Sequence, residues 1–513
     1  MNNEHSTSVI RFSHDELELF SAASGDRNPL HVSDEYAHKT ALGRLVVFGV
    51  LGAIAALGRI PPHPKRRLVK ITLGFPGALF IDVDYTVRVA AHNDRRVTAE
   101  ILDGSRVMLV AEMHFEPGRS AALAADAPAH FPYTEPADRQ PDDLDLGVCN
   151  ENLYCPDHDR ARALLDHFHL PSRGIGALEL GVLLWASYFV GMEMPGKRAL
   201  FGRLAIDFDS VEANAAWPLT YTARTLPFDP RFDLLRCEAT LSMKGRPIAT
   251  AKLRSFVRRD VPAIDIAMLQ ELLPQSESLK GKIALVTGAS RGLGAAIAAA
   301  MALEGCTVIA NYRRSRSDVE QLVEKVEHAP GEIVPAQGDA GDPAWWAGRA
   351  TKLLETYGGL DILVCNASPP LVPMSIHAAS IERINTYINQ SVSLVSAPLG
   401  TCADLLAKRR GWLAVISSTA VDDPPPEWPH YVGAKCAVEG LARATAAAHD
   451  NLGVLIVRPP RLRTEFTNVP MGHANAIAPE RVAADLVRRL AERPPAGEVH
   501  YLVCFDPCLE PVT

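Results

Sequence analysis

The 513-residue chain has no surplus of positive charge, no Cys-x-x-Cys and no hydrophobic run long enough to cross a bilayer. Each absence excludes something. With 52 Lys and Arg against 60 Asp and Glu, the formal net charge is −8, which removes the electrostatic footprint of a nucleic-acid binder. The nine cysteines are odd in number and scattered, which argues for a reducing compartment and against a disulfide framework or a structural metal. Cys155-Pro156-Asp157-His158-Asp159 has no second ligand cluster to complete a metal site, and the four-residue spacing of Cys504 and Cys508 reads as chance. The beginning of the chain is polar, without a secretory apolar core, and the apolar stretch 45–57 is too short to span a membrane. We therefore expect a cytoplasmic protein with neither membrane nor nucleic acid as partner. Lys65-Arg66-Arg67 and Lys408-Arg409-Arg410 read as solvated faces. Docking of an acidic carrier protein or a CoA phosphate is the alternative.

What is present falls into three segments. Residues 9–117 open with a helix pattern at 15–23 and an apolar helix at 49–57. Alternating strand patterns follow at 69–75, 82–91, 96–103 and 107–115. That order predicts an α+β domain with one helix wrapped by an antiparallel sheet. Residues 119–147, rich in Ala, Pro and Asp, read as a linker. Residues 148–258 repeat the element order without repeating the sequence. Helices are expected at 159–168 and 177–190, strands at 200–208, 218–225, 232–243 and 246–257. Residues 259–279 read as a second linker. From 280 to 513, apolar strands at 283–287, 307–311, 333–337, 362–365, 412–417 and 454–457 alternate with helical segments. This predicts a parallel sheet with right-handed crossovers, an α/β doubly wound domain. The expected domains are thus 1–118, 148–258 and 280–513.

The last segment carries a glycine-rich turn, Thr287-Gly288-Ala289-Ser290-Arg291-Gly292-Leu293-Gly294, after a strand and at the start of a helix. There the backbone can approach a pyrophosphate and the helix N-terminus supports its charge. The second strand runs into Asn311-Tyr312-Arg313-Arg314 rather than an acidic residue. Arginines there, with Arg291 in the turn, match the extra phosphate of NADP(H) better than the free ribose of NAD. Tyr431 and Lys435, four apart, share a helix face, and Ser418 lies thirteen positions upstream of Tyr431 at a strand end. A nearby ammonium would lower the tyrosine pKa and so permit proton transfer. With Asn366-Ala367-Ser368 after the fourth strand and Asn389 on the next helix, residues 280–505 resemble the short-chain dehydrogenases/reductases, close to the 3-oxoacyl-thioester reductases. The resemblance implies a tetrad of Asn389, Ser418, Tyr431 and Lys435, with Asp339 contacting the adenine of the cofactor. The family's Asn-Asn-Ala-Gly reads Cys365-Asn366-Ala367-Ser368 here, and its Pro-Gly after the sixth strand reads Pro459-Pro460.

The first segment carries Ser24-Gly25-Asp26-Arg27-Asn28-Pro29-Leu30-His31. Pro29 disfavours a regular helix between Asp26 and His31, so a loop aims both side chains. Moving water on or off a carbon next to a thioester needs one acid and one base of different pKa. It also needs a donor for the enolate-like oxygen, which the backbone N–H near Gly49 at the buried helix start would supply. With Ala37, Thr40, Gly43 and Gly49, the segment resembles the MaoC-like (R)-specific enoyl-thioester hydratases, a branch of the hot-dog fold. The family's His-Gly at the helix start reads Phe48-Gly49 here. The second segment has no Asp-x-Asn-Pro-x-His, and the resemblance to double hot-dog hydratases implies that it is a non-catalytic half. Trp185, Tyr188 and Phe189 there either line an acyl tunnel or belong to the core.

Together these imply a multidomain enzyme: an α+β double hot-dog followed by an α/β doubly wound Rossmann domain. Its expected function is NADPH reduction of a 3-oxoacyl thioester and then loss of water, on an acyl-CoA or acyl-carrier-protein substrate, in fatty-acid or polyketide assembly. The alternatives are the reverse direction, as in β-oxidation, and a reductase with a silent acyl-binding hot-dog pair. A homodimer or higher homo-oligomer is expected.

Overall fold

The structure is a computed structural model. It describes residues 4–123, 134–144, 147, 149–209, 214–215, 217–274, 276–469, 472, 475–492 and 498–503. Cys504 and Cys508 lie outside the described residues. The chain forms two compact units, residues 1–260 with 377–379, and residues 261–376 with 380–513.

In the first unit the elements run β1 (Glu4–Arg11), α1 (His14–Ser24), α2 (Pro29–Val32), α3 (Asp34–His38), α4 (Gly49–Leu57), β2 (Arg66–Gly74), β3 (Asp84–Asn93), β4 (Arg96–Asp103), β5 (Arg106–Pro117) and β6 (Ala122–Leu123). They continue as β7 (Cys149–Tyr154), α5 (His158–His167), α6 (Ala177–Tyr188), β8 (Ala199–Phe208), β9 (Asn214–Ala215), β10 (Leu219–Thr225), β11 (Leu234–Met243) and β12 (Arg246–Val257). Ten strands form one antiparallel sheet in the order β1-β3-β4-β5-β2-β8-β12-β11-β10-β7. The order is the same read outward from either side of the β2–β8 seam, so the repeated element plan is a repeated topology. At the seam Thr72 lies opposite Ala205, and Lys70 Nζ meets Asp207 at 2.7 Å. The strands alternate buried and exposed residues, as one-sided burial requires; on β5, Ala111, Met113 and Phe115 point inward and Glu112, His114 and Glu116 outward. Every residue of α4 from Val50 to Leu57 is buried, and so is α6 from Ala177 to Ser187. α4 is apolar all round, as a helix enclosed by a sheet should be, and α6 departs from that only at Glu179 and Ser187, whose polar atoms are hydrogen-bonded.

The outermost strands β1 and β7 were not expected from sequence, and neither linker is a plain tether. Ala121 is buried, β6 pairs parallel with β9, and Asp138 holds Lys197 and Arg198 by ion pairs. Within 259–279 the structure has α7 (Ile266–Leu272), capped by Asp265, which accepts from the Met268 N–H at 2.9 Å. Its Leu269, with Leu273 and Leu279 beyond it, is buried in the core of the second unit. The apolar spacing of those three leucines outweighs the polar residues between them. Arg66 is not on a solvated face either: it is buried, with its guanidinium 4.1 Å from the Phe115 ring centroid.

The second unit continues with β13 (Ile283–Val286), α8 (Gly292–Leu303), β14 (Thr307–Tyr312), α9 (Arg316–Lys325), β15 (Glu332–Gln337), α10 (Pro343–Trp346), α11 (Arg349–Tyr357) and β16 (Ile362–Cys365). It ends with α12 (Ile381–Arg409), β17 (Trp412–Ile416), α13 (Pro429–Ala448), β18 (Gly453–Arg458), α14 (Pro479–Ala491) and β19 (Val499–Val503). The seven strands are parallel in the order β15-β14-β13-β16-β17-β18-β19. The chain reverses direction across the sheet between β13 and β16. The carboxyl ends of the strands on either side of such a reversal form the usual crevice of an open α/β sheet.

Candidate active sites

In the first unit, α1 ends at Gly25 and the chain turns inward at Asp26, which is only 2% exposed. Its carboxylate accepts from the Asn28 N–H at 3.0 Å and from Ser187 Oγ at 2.7 Å. Ser187 lies on α6, in the half without the Asp/His motif. Other bonds lock the same loop to that half: Asn28 Nδ2 donates to the Gly196 carbonyl at 3.1 Å, and Tyr154 Oη donates to the Ser24 carbonyl at 2.9 Å. Gly191 admits the carboxylate, since a Cβ there would stand 2.3 Å from Asp26 Oδ1. Burial pushes the Asp26 carboxyl up to about 7, with the Ser187 and Asn28 bonds working against the shift.

Asn28 caps α2 by accepting from the Leu30 N–H, and α2 carries His31. His31 Nδ1 is 2.7 Å from the Val46 carbonyl. A carbonyl only accepts, so Nδ1 carries the proton and Nε2 keeps its lone pair. Burial lowers the His31 pKa to about 4, which keeps the ring neutral. Phe48 stacks on His31 with centroids 4.1 Å apart and planes 30° apart. The residue that departs from the hydratase pattern therefore fixes the histidine ring. Phe48 is also the N-cap of α4 and makes no side-chain cap hydrogen bond to that helix start. Gly49 is half-buried there. Trp185 and Phe189 are core residues, 0% and 3% exposed, stacked on each other. Tyr188 alone is half-buried, 3.5 Å from where a Gly25 Cβ would stand.

In the second unit the glycine-rich turn follows β13 and opens α8. Gly288 has φ +65°, and a Cβ on Gly294 would stand 2.2 Å from the Gly288 carbonyl oxygen. Asn366, after β16, ties the two strand ends by donating to the Thr287 and Gly288 carbonyls at 3.2 and 3.1 Å. Ser290, Arg291 and Gly292 are half-buried around the start of α8, whereas the Leu293 side chain is in the core. Arg313 and Arg314 are exposed just beyond β14, with Arg313 Nη1 3.2 Å from Asp339 Oδ2. Asn311 is not with them. It is 2% exposed and its amide donates to the Ala336 and Gly338 carbonyls, clamping β14 to β15. The inward phase of the strand places it there.

Ser418 follows β17, and Tyr431 and Lys435 share one face of α13. The Tyr431 hydroxyl is raised by burial, against a hydrogen bond with Ser418. Lys435 Nζ donates to the Ile416 carbonyl at 2.8 Å and lies 5.4 Å from the Tyr431 ring centroid. Burial lowers its pKa to about 8. Burial outweighs the lowering expected from the lysine, and the Tyr431 hydroxyl stands above its ordinary value. Asn389 is not part of the group. It is exposed, while Ile384, Tyr387, Ser391 and Val395 form the buried face of α12. At 100° per residue, Asn389 is 200° from Ser391.

The comparisons with known proteins agree with this division. The model of the short chain dehydrogenase family matches residues 282–470, and that of the MaoC like domain matches residues 3–110. An uncharacterized oxidoreductase of Methylorubrum extorquens is 31% identical over 215 residues, 41% of this chain and 82% of that protein. The chain belongs to the short-chain dehydrogenase family and carries a MaoC-like domain ahead of it. A 3beta-hydroxysteroid dehydrogenase of Eggerthella lenta is 29% identical over 228 residues, 40% of this chain and 86% of that protein. A short chain dehydrogenase of Burkholderia cenocepacia, solved with NADP, is 27% identical; the match covers 44% of this chain and 98% of that one, with a TM-score of 0.40.

Two features of these sites have no local sequence signal. In the MaoC-like domain, Ser187 and Gly191 reach Asp26 across more than 160 positions of chain. In the dehydrogenase domain, Glu439, 2% exposed, receives the Ser417 hydroxyl at 2.6 Å and a bidentate Arg458 at 2.8 and 2.7 Å. Burial opposes the charge, but Arg458 and Ser417 hold the Glu439 carboxyl below its ordinary value. Glu439 sits one helical turn from Lys435 on α13. The turn of Gly288 to Gly294, tight and opening a twelve-residue helix, fits a nicotinamide dinucleotide. The chain is an oxidoreductase with a hydratase-type domain. Among the described residues, no helix is long and apolar enough to cross a membrane.

Proposed function

We propose that the chain reduces 3-oxoacyl thioesters with NADPH and dehydrates the 3-hydroxyacyl product to the trans-2-enoyl thioester, as fatty-acid or polyketide assembly requires. One observation carries this reading: a buried Asp26 and a half-buried His31 on one short segment share a chain with a Tyr431–Ser418 pair beyond β17 of the parallel sheet. A 3-hydroxyacyl thioester is the compound both chemistries have in common.

In dehydration, His31 Nε2 takes the C2 proton and the protonated Asp26 gives its proton to the leaving hydroxyl. The Gly49 N–H at the start of α4 stabilises the thioester oxygen. Hydration uses the same groups in reverse. In reduction, Tyr431 gives a proton to the carbonyl oxygen, which Ser418 orients, and Lys435 holds the nicotinamide ribose. Gly288 to Gly294 would hold the cofactor's pyrophosphate and Asp339 its adenine, with Asn366 bracing the turn, and the nicotinamide would supply the hydride when bound. Arg291, Arg313 and Arg314 favour the phosphate of NADP. Burial raises Tyr431, so its hydroxyl carries the proton that reduction transfers. The thioester arrives on CoA or on a carrier protein from another chain, and the enzyme works in the cytoplasm as a homodimer or larger homo-oligomer.

The test uses two separate assays. Supplied with a short enoyl thioester and no cofactor, the protein adds water. Supplied with a 3-oxoacyl thioester, it oxidises NADPH faster than NADH. No water addition leaves the MaoC-like domain as an acyl-binding module, and equal or faster use of NADH removes the arginine argument.

A further inference from the structure

Aromatic residues make up only 6% of the chain, yet four rings of the dehydrogenase domain converge on one point. Trp428 meets Tyr431 edge-on at 5.8 Å between centroids, and Phe466 lies 6.4 Å from it. Tyr387 is buried with Leu371 and Ala434, and Ile388, Trp428, Tyr431 and Phe466 lie half-buried against that group. The group is separate from the two cores that flank the parallel sheet. Partly exposed rings packed beside the Tyr431 ring are an apolar surface that a ligand can cover.

The MaoC-like domain shows the same feature independently. Phe75 lies over the start of α4, where a Cβ on Gly49 would stand 3.0 Å from its ring. Phe75 packs on Phe201 at 5.0 Å, and both rings are half-buried. The methyl of a short acyl chain would cover little of either surface. A planar ring fits both, because aromatic faces and edges pair in offset or T-shaped geometry.

We propose that both sites are shaped for a substrate with an aromatic ring on C3, a 3-aryl-3-oxoacyl thioester and the alcohol derived from it. This rests on the thioester reading above. In the first step C3 takes a hydride from the reduced nicotinamide and its oxygen takes the Tyr431 proton, so the ketone is reduced and the cofactor oxidised. In the second step the C2 proton and the C3 hydroxyl leave together as water. The new double bond is then conjugated with both ring and thioester.

The experiment compares N-acetylcysteamine thioesters of 3-oxo-3-phenylpropanoate and acetoacetate, with 2-tetralone as a ring ketone that has no thioester. The intact protein prefers the phenyl thioester by about tenfold or more in kcat/KM. Trp428→Ala brings the ratio towards one by raising KM for the phenyl substrate, and Trp428→Phe restores it. Without cofactor, the ratio of dehydration rates for 3-hydroxy-3-phenylpropanoyl over 3-hydroxybutanoyl thioester falls in Phe75→Ala. Equal or better use of acetoacetyl thioester by the intact protein overturns the proposal, and that measurement needs no variant. Reduction of 2-tetralone but of neither thioester overturns the thioester reading and leaves the ring preference standing. Reduction of none of the three overturns both.

Discussion

In the first half of the ten-stranded sheet the connection from α1 to the buried helix, residues 25–48, folds into α2 and α3 around Asp26 and His31. In the second half the matching connection, residues 168–176, is short and holds one turn of 3-10 helix at Pro171–Arg173. Its buried helix α6 is longer than α4, twelve residues against nine, and continues into a π-turn at Phe189–Glu193. That extra length carries Ser187 and Gly191 to the Asp26 carboxylate. One half thus supplies the reacting groups, and the other supplies the hydrogen bond and the space that hold one of them. A half without a motif can still be part of a site.

The largest effect expected from this comparison is Asp26→Asn, which removes the group that exchanges a proton with the water oxygen. Hydration of an enoyl thioester should fall by about 10³-fold, within the range for losing a general acid or base. The folded state should gain about 1–3 kcal/mol at pH 8, seen as a higher Tm. The sign follows from linkage. The folded pKa, about 7, lies above the ordinary 3.8, so ionisation opposes folding at every pH above that ordinary value. Next is Gly191→Ala in the half without a motif. Its methyl cannot coexist with the carboxylate, and hydration should fall by about 10²-fold although Asp26 and His31 are intact. An activity near that of the unchanged protein would show that Asp26 does not react from this position.

Ser187→Ala should cost about tenfold in hydration, the size expected for losing one hydrogen bond to a charged group. It should also move the pH profile. The working form carries one proton shared between the two groups, so hydratase activity should fall above about pH 7 and below about pH 4. The Ser187 bond lowers the Asp26 pKa, so its removal shifts the alkaline limb to higher pH. An unmoved limb would separate Ser187 from the titration. The smallest effect belongs to the other domain: Asn389→Ala should change ketone reduction by less than about twofold, since the side chain faces solvent. A loss of about 10²-fold would return Asn389 to the reacting group.

The contrast between the sites also shows what the sequence could disclose. Buried parallel strands such as 283–286 and 362–365 are unbroken apolar runs, and the helix 49–57 stands out for the same reason. The edge strands Glu4–Arg11 and Cys149–Tyr154 were missed because they are mostly polar and pair on one side only. Asp26, His31, Tyr431 and Lys435 were legible because each pair is local in sequence. Ser187 and Gly191 were not, since only tertiary packing brings them to Asp26. Asn389, chosen by residue type, is exposed; the spacing of Ile384, Tyr387 and Ser391 gives the inward face of α12 directly. Asn311 was misplaced by position, because a residue near a strand end can still point into the sheet's interior.

The most direct test of the central claim is mass analysis of the products formed from one 3-oxoacyl thioester with NADPH by three proteins. The unchanged chain should give the 3-hydroxy and the enoyl thioester, Asp26→Asn the 3-hydroxy thioester alone, and Tyr431→Phe unreacted ketone. The same product mixture from the unchanged chain and from Asp26→Asn would contradict the account, because the site shared by the two halves of the sheet would then have no part in moving water.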